Sequence, residues 1–175
     1  MNPSGAWIHQ TENGKFGCRQ GMDLRKDLLF ANLLTESYFR FTGHSLAPDG
    51  LIGEDAAMWL YELAPFGLLA HNSASDPVFV YGNKVAQQLF EYGWDELVGL
   101  PSRLSAEAPN REQRQRFLTD VQRHGFVTGY CGIRISKSGK RFVIEDATVW
   151  QLIDAEGRYH GQAALLPKAT YLLPD

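Results

Sequence analysis

Long apolar runs, paired cysteines and an excess of positive charge are all missing from these 175 residues. No stretch approaches the ~20 apolar residues that a membrane-spanning helix needs. Residues 1–22 are polar and glycine-rich, without the apolar centre of a secretion signal. A cytoplasmic protein that does not bind membranes is the expectation. Cys18 and Cys131 lie far apart and outside any metal-ligand spacing, which excludes a disulfide framework and points to reduced thiols. A net charge of −3 supplies no field to draw in nucleic acid. Arginines do gather at Arg111, Arg114, Arg116 and Arg123, but Glu112 and Asp120 are interspersed, the pattern of a solvated helix face. His9, His44, His71 and His160 lack the i, i+4 spacing of a metal pair, so no metal is expected.

What is present is 44% hydrophobic and 12% aromatic, in keeping with one globular domain and an aromatic-rich core. Residues 1–22 read as a flexible tail and 23–64 as a helical extension. In the extension Leu28, Ala31, Leu34, Tyr38 and Phe41 recur at steps of three or four until Gly43. Ala56, Trp59, Leu60 and Leu63 then share a face until Pro65. Over 65–167 the period shortens. Strands are expected at 66–71 and 78–81, a helix capped by Asn83, and a longer helix opened by Asn110 with Gln113 and closed by Gly125. Strands at 127–135, 142–152 and 159–166 follow, joined by tight turns, and 168–175 reads as a C-terminal tail. This order argues for an α+β fold: a five-stranded antiparallel sheet with helices on one face, preceded by N-terminal helices. A small-molecule cavity between sheet and helices is expected.

Four strings carry a resemblance: His71 with Asp76-Pro77-Val78-Phe79-Val80-Tyr81-Gly82-Asn83, then Leu100-Pro101-Ser102-Arg103-Leu104-Ser105-Ala106-Glu107, Ala147-Thr148-Val149-Trp150, and Gly161-Gln162-Ala163. They resemble the PAS-like MEKHLA domain over about residues 59–166, in the manner of a free-standing bacterial-type member. The resemblance implies a sensory module that binds an unidentified small molecule and signals to a separate protein, not an enzyme. A ligand-free interaction module and a small-molecule enzyme are the alternatives; His71 beside Asp76, with Ser102 or Ser105, would be the enzyme's residues.

Matched onto light-sensing flavin relatives, Ser102 stands where the reactive cysteine would be and Ala106 where a glutamine would be, leaving Arg103 as an anion contact. Covalent flavin photochemistry is therefore not expected, since a hydroxyl lacks a thiolate's nucleophilicity. Haem is not expected either, because the sole candidate, His124, sits at a helix end beside Gly125.

The same match, combined with strand alternation, turns Leu69 and His71, then Tyr130, Gly132 and Arg134, then Phe142, Ile144, Asp146, Thr148 and Trp150, and finally Gln162, Ala164 and Leu166 inward. Arg134 and Asp146 would meet diagonally across two strands, either satisfying each other or serving a ligand. With Arg103, Arg134 would hold an anionic or carbonyl group, and Asp146, Thr148 and Gln162 its polar edge. Tyr130 and Trp150 would line its apolar part, with His71, Ser102 and Ile144 completing the candidate set. Because the first helix precedes this core, its apolar face suggests a homodimer; folding back over its own sheet is the other reading.

Overall fold

Helix α1 (Leu28–Thr42) begins where the Asp27 carboxylate accepts from the Phe30 amide at 2.7 Å, and ends where Gly43, at φ 72°, turns its N–H back to Phe39 O. The structure, a computed structural model, describes residues 8–10, 16–18 and 23–173. Most of the tail expected over 1–22 thus lies outside the described residues; within it β1 (Ile8–Gln10) and β2 (Phe16–Cys18) pair antiparallel. Helix α2 (Gly53–Met58) continues into a π-helical turn, Trp59–Leu63, just before Pro65. No helix among the described residues is long and apolar enough to cross a membrane.

The main sheet is antiparallel and built from β3 (Gly67–Asn72), β4 (Phe79–Gly82), β5 (Phe126–Ile135), β6 (Arg141–Ile153), β7 (Tyr159–Leu166) and β8 (Lys168–Tyr171). Its order is β4-β3-β7-β6-β5, with β8 paired to β6. Six strands replace the expected five because residues 168–171, read as tail, continue the line of β7 along β6. The interruption is Pro167, which has no N–H to give and falls opposite Asp146.

Helices α3 (Lys84–Phe90), α4 (Trp94–Leu97) and α5 (Ala108–His124) and a 3-10 turn, Ser102–Ser105, follow β4 and precede β5. Asn83 ties this layer to the strands. Its Oδ1 accepts from Ala86 N and Leu68 N, and its Nδ2 donates to Leu60 O and Phe66 O, all between 2.8 and 3.1 Å. Helix α5 starts two residues before the expected Asn110 and has no side-chain cap; a proline in its first turn costs nothing, since the N–H there is free of the helix.

The N-terminal helices cover the sheet's other face. Phe30, Leu33 and Leu34 share a buried cluster with Leu68, Ala70, Val80, Trp150, Leu152 and Ala163. Tyr38 meets the Trp150 ring edge-on at 4.9 Å, and Phe41 stacks on Phe126 at 6.0 Å. Helices therefore flank the sheet on both sides. Of the apolar stripe that suggested a homodimer, Ala31 and Leu34 are buried and Tyr38 and Phe41 pack on the chain's own sheet, whereas Leu28 stays exposed.

Strand β6 serves both layers by changing hand midway. Val127 pairs with Val149 and Tyr130 with Ala147, so β5 carries one extra residue there; Gly132 then pairs with Ile144, so β6 carries one extra in turn. Gly129 (φ 69°) and Asp146 (φ 56°) sit at these bulges, which cancel in register. Phe142 and Ile144 lie in the α3–α5 layer, and so does Ala147, whereas Trp150 and Leu152 face α1.

Candidate functional site

A cavity of about 50 Å³ lies between the sheet and α5. Its floor is Leu69 and His71 of β3, Gln162, Ala164 and Leu166 of β7, Ile144 and Val149 of β6, and Tyr130 and Arg134 of β5; Arg114, Phe117 and Leu118 of α5 form the roof. No carboxylate is in the lining. Of the residues proposed from sequence, His71, Tyr130, Arg134, Ile144 and Gln162 are brought together there. Ser102, Arg103, Asp146, Thr148 and Trp150 are not.

Each displacement has a cause. The bulge at Asp146 turns that residue out to solvent and moves Thr148 and Trp150 to the opposite parity, so Val149 takes the place expected for its neighbours. The Arg134–Asp146 ion pair is therefore not formed. Arg103 is half-exposed and pairs with Asp76 at 3.2 Å, a contact worth little in water. Ser102 is fully buried behind the cavity wall, where its Oγ accepts from Arg114 Nη2 at 3.1 Å.

Arg114 itself corrects the reading of the arginine cluster on α5 as a solvated face. It is buried, and the signal was available: Phe117, Leu118 and Val121 follow it at three, four and seven residues, on one helix face. Arg134 is buried too. It donates to Ile133 O at 2.9 Å and Tyr130 Oη at 3.2 Å, with its guanidinium 5.4 Å from the Tyr130 ring centre. Tyr130 in turn stacks on Phe117 at 3.8 Å and lies over Gly132, where a Cβ would come within 2.6 Å of the phenol oxygen. Among the described residues no carboxylate pairs with Arg114 or Arg134. Burial, and then the neighbouring Arg134 charge, bring Arg114 down to about 10.

His71 and Gln162 face each other across the β3–β7 ladder. His71 Nδ1 lies 2.9 Å from the carbonyl of Asn72, so it must carry the proton and leave Nε2 as a bare acceptor. Burial pulls this imidazole down to about 4 and Arg114 adds to the fall, against the opposing pull of the Asn72 carbonyl and of the facing Gln162 amide. The Gln162 amide nitrogen donates to Leu118 O at 3.2 Å, which assigns Oε1 as the second acceptor. Neither Nε2 nor Oε1 has a hydrogen-bond partner. A glycine makes this closeness possible: Gly161, at φ 138°, would place a Cβ 1.9 Å from His71 O. Outside His71, Leu118 and Gln162 opens a polar cleft of about 290 Å³, lined also by Asn72, Gln115 and Tyr159.

An antiparallel sheet with short helices and one long helix closing a central cavity defines a PAS-like domain. Solved structures agree on the fold. A PAS domain from Colwellia psychrerythraea superposes with a TM-score of 0.52 at 14% identity, over 62% of this chain and 87% of that one. A fungal LOV domain photoreceptor gives 0.52 at 18%, over 79% and 91%. The MEKHLA domain profile matches residues 28–171, and the chain belongs to that family. No curated protein matches it.

Proposed function

We propose that this chain is a sensory module that binds a small molecule in the cavity beneath α5 and reports its occupancy to a separate protein. The observation that carries this reading is the pair of buried acceptors, His71 Nε2 and Gln162 Oε1, left without partners at the cavity wall. An acceptor buried and unsatisfied costs about 1–3 kcal/mol, a cost that an occupant bearing a donor removes. The arrangement favours binding over catalysis, because Ser105, the serine in the lining, spends its hydroxyl proton on Ser102 O at 2.7 Å.

Native mass spectrometry of the purified chain, followed by thermal shifts across a metabolite library, tests the proposal. A co-purifying mass or a saturable stabilisation that Gln162→Leu weakens is expected. Ligand-free preparations with no stabilising compound would overturn it in favour of an interaction module.

A further inference from the structure

Two guanidiniums with no counter-charge and two acceptors with no donor share one small cavity, and the pairing describes the missing molecule. Arg114 and Arg134 are both more than nine-tenths buried. Holding two like charges near each other in a dry interior is unfavourable without an anion between them. The planar, forked guanidinium fits a carboxylate best, with two parallel N–H···O bonds. The acceptors ask for the opposite chemistry, an O–H or N–H. Leu69, Phe79, Phe90, Ile144, Val149 and Leu166 make most of the remaining wall apolar, Ser105 and Tyr130 being the other polar side chains in it.

Size narrows the class. A cavity of about 50 Å³ is a third of the ~150 Å³ that admits a benzene ring. It accommodates an acid of a few heavy atoms; anything longer must pass His71, Leu118 and Gln162 into the outer cleft.

Resting on the small-molecule reading above, we propose that the ligand is a small carboxylate bearing a hydroxyl or N–H donor, a short 2-hydroxy acid being the simplest example. Its carboxylate is held between Arg114 and Arg134, and its donor is shared by His71 Nε2 and Gln162 Oε1. The outer cleft is its way in, with the Gln162–Leu118 bond as the closure.

The test is calorimetric titration and thermal shift of the full chain with glycolate, lactate, propionate and 1,2-propanediol, with inorganic phosphate and chloride as controls. Lactate or glycolate should bind, and propionate at least tenfold more weakly for want of the donor. The diol should not bind. Arg114→Met should abolish acid binding, while Gln162→Leu should collapse the difference between lactate and propionate and leave the acid preference. Arg134→Lys, which keeps the charge but not the fork, covers the case in which Arg114→Met does not fold, and should lose at least tenfold.

Equal binding of acid and diol, unchanged binding in both arginine variants, or binding of phosphate or chloride as tight as that of the hydroxy acids would overturn the proposal. A neutral library compound whose binding Gln162→Leu removes would sink the acid while keeping the small-molecule site. Failure of every compound would sink both.

Discussion

The Trp150 indole donates to Ser37 Oγ at 3.0 Å, both side chains being fully buried, and this bond pins α1 to the outer face of the sheet. Ser37→Ala leaves the indole N–H without its acceptor in a dry layer. A loss of about 1–3 kcal/mol is expected in urea unfolding. Pairing it with Trp150→Phe should show non-additivity, since each change removes the same bond.

His71 makes stability depend on pH. Its folded-state value of about 4 lies below its ordinary 6.5, so the folded chain resists a proton that the unfolded chain accepts. The contribution is complete above pH 6.5, declines as pH falls from 6.5 to 4, and levels off below. The whole step is on the order of 3 kcal/mol. Glu91, held near 2 chiefly by Lys140, acts lower, its contribution fading only below about 4.5. Denaturation midpoints across pH 4–7 should show the decline in the parent chain and a flatter profile in His71→Gln.

Gly161→Ala should be severe. The added Cβ would meet backbone, not a movable side chain, and the φ of 138° is itself unfavourable for alanine. More than about 3 kcal/mol should be lost, seen as a collapse in soluble yield or a melting point far below that of the parent.

The arginine pair predicts a trade of stability against binding. In buffer free of organic acids, Arg114→Met combined with Ser102→Ala removes one of two uncompensated buried charges and the hydroxyl it served. The melting temperature should rise by roughly 2–6 °C. A fall would mean that the guanidiniums are already compensated within the chain.

Much of this fold was legible because its signals are local. Gly43, Asn83 and Gly125 mark helix ends by chemistry that needs no tertiary knowledge, and the turns at 136–140 and 154–157 separate strands of clear alternation. The site was half legible. Strand parity carried His71, Tyr130, Arg134, Ile144 and Gln162 to the cavity but failed in β6 beyond residue 145, where one extra residue reverses the later side chains of that strand. Gly129 inside a strand was the available warning. Arg114 was hidden for a different reason: a charged residue among charged residues reads as surface unless its apolar neighbours at three, four and seven positions are given more weight than its own charge. Strand β8 escaped because a proline before it suggested an ending, when the chain only skips one ladder bond.

The reversal of β6 also sets how far information has to travel. Val149 touches the cavity, and Trp150, one peptide unit later, touches α1. Cavity and outer helix are thus separated by the thickness of a single strand, with no relay of side chains between them. A shift of β6 imposed at Val149 is also a shift at the Ser37 bond. The helix that shields the sheet's outer face thus lies one strand away from the cavity, on the side opposite α5.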